Sequence, residues 1–354
     1  MKFSICIPNY NYEKYVGRTI ASVRAQTYTD WEILVSDNAS SDQSVPVIQA
    51  FQDSRIKLTI NACNVGFSGN LDRAARLATG DFMLMLSSDD LVRPAALETY
   101  HVLLKALGDA ARDAVITSAC DVIDPNDQVT GAWRLPGRNV WRESDRVPEL
   151  ELLVKAPVYR VPSAELLRRA LPVMQNPLYF LATIYPRALY ARIEGYGGGR
   201  SITPDKWFNW RLLDVAGDVF LIDRPLFAYR WHPANQAAQQ SASGALKEQV
   251  DEYLNTIELD GKLLERAGIS RKDLCQAFIE YGVAQRGLSC LGRGDAGRAK
   301  RILAFGKAAY PRQVWENRKA WALRGLLAAG PLGTWLARRL YARHRSENGA
   351  ELSL

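Results

Sequence analysis

Over the first 120 residues, apolar runs of strand length alternate with stretches whose apolar residues recur at helical spacing. That alternation is the pattern of a parallel sheet joined by crossover helices. Phe3 to Ile7, Trp31 to Val35, Ile56 to Ile60, Phe82 to Leu86 and Val115 to Ser118 are the predicted strands. Between them, Tyr15, Val16, Thr19, Ile20 and Val23 mark one face of a helix, and Ser44 to Gln52, Asn70 to Ala78 and Pro94 to Leu107 predict three more. Pro94 stands in a first turn, where a missing N–H costs nothing. From Asp121 to about Arg160 the periodicity gives way to turns and short strands rich in Pro, Gly and Trp, followed by a helix from Ser163 to Leu171. A glycine-rich loop, Gly195 to Gly199, precedes a helical stretch, Lys206 to Val215, and an extended one, Val219 to Ile222. Asn235 to Gly244 reads as a linker, and beyond it only helical patterns occur: Leu246 to Ala267, Lys272 to Gly287, Ala296 to Ala309 and Trp315 to Arg343. A domain boundary is expected near Ser241.

Composition narrows the class without naming it. With 354 residues, 47% hydrophobic and 23% charged, the chain is long enough for two or three packed units and too apolar to be disordered. Five cysteines (Cys6, Cys63, Cys120, Cys275, Cys290) have no C-x-x-C spacing, which fits neither a zinc knuckle nor a disulfide framework and suits a reduced cytosol. The apolar run near Met1 is cut by Pro8 and is too short for a signal peptide's core. The net charge of +7 comes from one tail: Arg312, Arg318, Lys319, Arg324, Arg338, Arg339, Arg343 and Arg345 stand against Glu316 alone. A charge so confined, with no recognition motif, argues against a nucleic-acid protein. The first strand is not followed by G-x-G-x-x-G, which argues against an NAD enzyme.

In open α/β sheets ligands bind beyond the carboxyl ends of the strands, so the polar segments there are the candidates. The first strand leads into Pro8-Asn9-Tyr10-Asn11-Tyr12, the second into Ser36-Asp37-Asn38-Ala39-Ser40-Ser41-Asp42, and the third into Asn64-Val65-Gly66. Asp37 at a strand end is placed to accept a nucleobase imide N–H, whereas Asp42 also reads as a solvated loop residue or a helix N-cap. The fourth strand ends in Ser87-Ser88-Asp89-Asp90. Two adjacent carboxylates at the mouth of a buried strand repel, and a cation between them and a polyphosphate relieves that cost; capping the following helix is the other reading.

These segments, in this order, resemble the inverting glycosyltransferase family 2, over about 230 residues. Ile7-Pro8-Asn9-Tyr10-Asn11 resembles the family's opening loop, Arg24 to Tyr28 a helix end with glutamine and an aromatic, and Glu32 to Asp42 its acidic second strand. Asn64-Val65-Gly66 with Asn70, and Ala78-Thr79-Gly80-Asp81, are similar to the elements that lead into its metal strand. Ser87 stands where the family commonly has the first aspartate of D-x-D. Tyr185-Pro186-Arg187 and Glu194-Gly195-Tyr196 precede Pro204-Asp205-Lys206-Trp207, where proline replaces the first of an acidic pair, and Tyr229-Arg230-Trp231-His232 resembles an arginine-x-histidine segment.

The resemblance implies an α/β GT-A nucleotide-diphospho-sugar transferase fold, Rossmann-like and mainly parallel, with a C-terminal helical region. Residues 1–120 are then the nucleotide-sugar-binding half, 121–240 the acceptor-binding and catalytic half, and 241–354 a helical domain with a basic amphipathic tail. It implies nucleotide-sugar contacts at Pro8, Tyr10, Asp37, Asn70 and Asp89, a Mg²⁺ or Mn²⁺ ion held by Asp90 and His232, and Asp205 as the catalytic base. Asp89 is given ribose or metal contact.

A cation would offset charge growing on the departing diphosphate, while the base takes the acceptor's proton from the opposite side of the sugar. Asp37 suits a UDP-sugar first and a dTDP-sugar second, with GDP-sugar a minor option. The expected acceptor is a hydroxyl of a glycan or lipid-linked saccharide. Ser87 and Pro204 at motif positions leave a second reading, a catalytically inactive nucleotide-sugar or glycan-binding protein. The tail pairs Trp315, Trp321, Trp335 and several leucines with the basic cluster. It reads either as an interfacial membrane segment, placing a cytoplasmic protein on the inner face of the membrane, or as a helix packed on its own domain.

Overall fold

A computed structural model describes residues 1–134, 140–193, 195–197, 204–235 and 246–348. The chain divides into two compact units, Met1–Leu167 with Asn176–Pro233, and Arg168–Gln175 with Ala234–Leu354. The boundary expected near Ser241 lies outside the described residues, as do most of the linker and part of the glycine-rich loop.

The first unit contains strands β1 (Phe3–Asn9), β2 (Trp31–Asp37), β3 (Ile56–Ile60), β4 (Phe82–Met85), β5 (Leu91–Val92), β6 (Val115–Ile123), β7 (Val129–Trp133), β8 (Val158–Pro162), β9 (Ile184–Pro186) and β10 (Asp218–Arg230). Its helices include α1 (Val16–Arg24), α2 (Ser44–Gln49), α3 (Gly66–Arg76), α4 (Ala96–Leu107), α5 (Pro148–Val154) and α6 (Ser163–Ala170), which runs into the second unit, then α7 (Arg187–Arg192) and α8 (Pro204–Val215). The strands form one mixed sheet in the order β3-β2-β1-β4-β9-β6-β10-β5, with β7 on β6 and β8 on β10. β3, β2, β1 and β4 are mutually parallel, and β9 runs antiparallel between β4 and β6.

Every residue of β1 and β2 is buried, which is why these strands read as continuous apolar runs rather than as alternations: helices cover both faces. The face predicted for α1 is the one it buries, Val16, Thr19, Ile20 and Val23. At the amino edge of the sheet Glu32 ties three strands together. It accepts hydrogen bonds from Ser4 Oγ of β1 (2.7 Å), Lys2 Nζ (2.8 Å) and both the N–H and hydroxyl of Thr79, just before β4 (2.9 and 2.7 Å).

β10 departs most from expectation. Asp223-Arg224-Pro225 looks like the end of a strand, yet the chain absorbs the proline as an irregularity, with register shifts against β6 on either side of it. The strand therefore runs on to Arg230 and delivers His232 to the carboxyl edge of the sheet.

The second unit is helical in its described residues. Side-chain caps define its turns: Asp260 accepts from Lys262 N, Ser270 and Asp273 form a capping box, Asp295 accepts from Arg298 N, and Asn317 from Ala320 N. The single stretch expected from Trp315 to Arg343 is three helices, Pro311–Glu316, Arg318–Ala328 and Gly330–Asn348, broken at Asn317 and at Gly330, whose φ is 58°. Among the described residues no helix is long and apolar enough to cross a membrane.

Candidate active site

The exits of β1 and β2 are locked to each other. Asn9 is buried and its Nδ2 donates to Asp37 Oδ1 at 2.7 Å; Ser40 Oγ donates to the same oxygen at 2.6 Å, and Ser40 N to Asp37 Oδ2 at 2.9 Å. Asp37 is thus wholly buried and bonded through both oxygens, so only the spare lone pairs of its carboxylate remain for a ligand. Tyr10, one residue beyond Asn9, is 44% exposed at this edge, and Pro8 is buried in β1.

Asn70 of α3 uses its whole amide within the fold. Its Oδ1 accepts from Ser36 Oγ (2.8 Å) and Asn61 Nδ2 (3.0 Å), and its Nδ2 donates to Ser36 O (3.0 Å) and Asn9 O (3.3 Å). It is buried, and its four bonds pin α3 to the exits of β1, β2 and β3.

The end of β4 is fixed by Ser88, whose Oγ donates to Pro8 O at 2.7 Å, and by Thr19 Oγ1 at 2.8 Å from both Ser88 O and Asp90 O. The two aspartates then diverge. Asp90 is buried and its Oδ1 accepts the backbone N–H of Arg230 at 2.8 Å. Burial first, then the neighbouring Asp89, push its carboxyl well above the usual range. Asp89 instead turns its Oδ2 to His232 Nε2 at 3.0 Å. Where sequence pairs Asp90 with His232, the structure pairs Asp89 with it, because the Asp90 carboxylate is held by the β10 backbone.

Arg230 clamps this arrangement. Fully buried, it donates from Nε to Asp89 O (2.7 Å) and from Nη1 to Asp124 O (2.9 Å), and forms an ion pair with Asp127 at 2.5 Å. The Tyr15 ring lies between two neighbours, its centroid 4.9 Å from the Arg230 guanidinium carbon and 4.7 Å from the His232 ring. Tyr12 meets His232 edge-on at 6.0 Å, and burial followed by the Asp89 and Asp90 charges pushes its phenol well up. Sequence singled out neither tyrosine, although Tyr12 closes the P-N-Y-N-Y loop and Tyr15 opens the helix face.

Asp205 opens α8. Asn176 Nδ2 donates to its Oδ2 at 3.3 Å, and Asn209, one turn along α8, holds Asn176 Oδ1 at 3.0 Å. Burial raises the Asp205 carboxyl above its ordinary value, against the backbone N–H groups at the helix start and the Lys206 charge. In the same unit Tyr179 N–H donates to Thr117 Oγ1 of β6 (3.3 Å). Tyr179 stacks on Trp133 at 6.0 Å, and Trp133 on Tyr229 at 4.3 Å.

Among the described residues no three His, Cys, Asp or Glu side chains gather as a cation cage. Asp89 and His232 could supply two ligands. That suits an ion completed by substrate phosphates and water, the usual mode for Mg²⁺, and not a dedicated all-protein site.

A mainly parallel sheet with its polar loops at the carboxyl edge, followed by helices, is the GT-A nucleotide-diphospho-sugar transferase architecture. Residues 4–169 match the model of the glycosyl transferase family 2, so this stretch of the chain is a domain of that kind. An 88-residue stretch is 43% identical to the UDP-Glc:alpha-D-GlcNAc-diphosphoundecaprenol beta-1,3-glucosyltransferase WfgD of Escherichia coli, covering 25% of this chain and 35% of that one. The match thus spans about a third of that relative's length. An uncharacterized glycosyltransferase of Nostoc is 25% identical over 96% of this chain and 92% of its own. The structure of S. aureus TarS 1-349 in complex with UDP-GlcNAc superposes with a TM-score of 0.58 at 17% identity, covering 98% of this chain and 92% of that one, a likeness of fold.

Proposed function

We propose that the protein is an inverting glycosyltransferase that moves a sugar from a nucleotide-diphospho-sugar to a hydroxyl of a glycan or lipid-linked saccharide. It would work in the cytoplasm, peripherally on the inner face of the membrane. A UDP-sugar is the first choice of donor and a dTDP-sugar the second; the names of WfgD and TarS, a glucosyl and an N-acetylglucosaminyl transferase, point the same way. The observation that carries the reading is the Asp89–His232 pair at the carboxyl edge of a family 2 domain, beside the Asn9–Asp37 loops.

In this reading Tyr10 stacks on the nucleobase and Asp37 accepts its imide N–H with the lone pairs that Asn9 and Ser40 leave. Asp89 and His232 would hold a Mg²⁺ or Mn²⁺ ion, which would supply Lewis-acid stabilisation of the leaving charge. Asp90 and Arg230 keep Asp89 in place. Asp205 takes the proton of the acceptor hydroxyl as its oxygen bonds to the anomeric carbon. The bond to the diphosphate breaks, its electron pair leaves with the phosphate oxygen, and the configuration inverts. The raised carboxyl suits this task, since a more basic carboxylate abstracts a proton more effectively.

Release of nucleoside diphosphate from a donor panel, with and without Mg²⁺ or Mn²⁺, tests the reading. Turnover of a UDP-sugar that Asp205→Asn abolishes and chelation stops is the expected result. Equal donor binding by wild type and variant, with no turnover by either on any acceptor, makes the protein a nucleotide-sugar-binding module instead.

A further inference from the structure

The helix Gly330–Asn348 turns its small residues inward and its large apolar residues outward. Gly333 and Ala337 are buried, and a Cβ at Gly333 would run into the carbonyl oxygen of Leu326 in the helix Arg318–Ala328. A Cβ at Gly292 would lie 2.6 Å from Tyr341 Cβ, so that side of the helix is also closely covered. Leu332, Trp335, Leu336 and Leu340 are all exposed, from 42% to 68%. Their spacing, i, i+3, i+4 and i+8, puts them on one stripe, and Arg339 and Arg343 fall on it too. A helix that merely faces water has the opposite distribution.

Charge settles the kind of partner. From Asn317 to Ser346 there is no Asp or Glu, against Arg318, Lys319, Arg324, Arg338, Arg339, Arg343 and Arg345. The Arg339 guanidinium lies 4.4 Å from the Trp335 ring centroid, and Arg324 sits 4.4 Å from those of both Trp315 and Trp321, which are themselves exposed. Arg324 also lines a cavity of about 340 Å³ with Lys300, Lys307 and Leu303, and its lining contains no acidic residue. Arginine beside tryptophan on an apolar ridge matches the phosphate level of a bilayer, where both groups keep one part wet and one part dry. Two copies of this face would bring cations against cations.

We propose that the outward stripe of Gly330–Asn348 is a docking surface for anionic phospholipid bilayers. Leu332, Trp335, Leu336 and Leu340 enter the acyl boundary, and Arg339 and Arg343 meet the headgroup phosphates. This gives residues to the membrane location proposed above and rests on that location, not on the transfer chemistry.

The test is co-sedimentation of the full chain with vesicles of phosphatidylcholine alone and of equal parts phosphatidylcholine and phosphatidylglycerol. Wild type should favour the anionic vesicles, and added salt should weaken that preference. Arg339→Gln with Arg343→Gln should lower binding to anionic vesicles at least about tenfold and leave the weak binding to phosphatidylcholine unchanged. Trp335→Ser with Leu336→Ser should lower binding to both, and because these side chains are exposed the variant should keep the wild-type circular dichroism. Equal sedimentation of wild type and both variants overturns the proposal. So does a wild-type dimer in equilibrium sedimentation that the Trp335→Ser, Leu336→Ser variant dissolves. Donor turnover measured without vesicles reports on the active site alone, so the two readings fail separately.

Discussion

Glu32 lies at the far edge of the sheet from the proposed chemistry, and its replacement by glutamine should show how firmly the site's strands are held. Burial alone would raise its pKa, but the donors Lys2, Ser4 and Thr79 outweigh that and bring it from 4.5 down to about 2. The side chain is 2% exposed, so solvent screens these bonds little. A drop of that size corresponds to up to about 3 kcal/mol of folding stability at neutral pH. Because the folded value is the lower one, the unfolded chain takes up the proton first as pH falls. The contribution is whole above 4.5 and is lost as pH descends toward about 2. Glu32→Gln should therefore lower the opening free energy of β1 and β2 by up to about 3 kcal/mol near neutrality, with the gap to wild type closing across that acid window. Amide hydrogen exchange confined to those strands, measured along a pH series, keeps the second unit out of the reading. A gap that is constant with pH, or one below about 1 kcal/mol at neutrality, refutes the claim that an ionised Glu32 binds the strands together.

Three further outcomes follow from the site. Asp205→Asn should cut turnover by about 10² to 10⁴ while leaving donor affinity within a few-fold, seen by isothermal titration beside steady-state rates. In wild type the base must be ionised, so kcat/KM should fall as pH drops through its raised value, with an acid limb above the ordinary carboxylate value of 3.8. Asp89→Asn and His232→Ala should each raise the Mg²⁺ or Mn²⁺ concentration needed for half-maximal turnover, whereas Asp90→Asn should chiefly lower thermal stability, and equal metal dependence in all three would contradict the division of roles. Asn70→Ala strands the Ser36 and Asn61 groups it bonds and should cost about 1 to 3 kcal/mol in urea unfolding, with a nucleotide affinity loss no larger than that destabilisation explains.

Strands were legible wherever burial on both faces wrote itself as an apolar run, as in β1, β2 and β4, and the face of α1 was legible from its spacing. What escaped were features decided by tertiary partners. Nothing local marks Pro225 as a bulge in a long strand rather than the end of a short one; the parallel partner β6 decides it. Of the adjacent pair Asp89 and Asp90, sequence sees two like carboxylates in a row, and only the position of the Arg230 backbone separates them. Asn70 was visible as a motif residue, but whether its amide faces a ligand or closes a turn depends on Ser36 and Asn61, which are distant in sequence.

A single arginine stands between the loop after β4 and the histidine two residues beyond it. Arg230 gives its backbone N–H to the Asp90 side chain and its Nε to the Asp89 carbonyl, so β10 grips the loop after β4 from both sides. With those bonds made, it is the Asp89 carboxylate that meets His232. The Tyr15 ring packs against both the Arg230 guanidinium and the His232 imidazole. A loop with one fewer aspartate than is usual at such a strand end can in this way still set one carboxylate oxygen beside one imidazole nitrogen. It is the β10 clamp, rather than the number of acids in the loop, that fixes which of them meets His232.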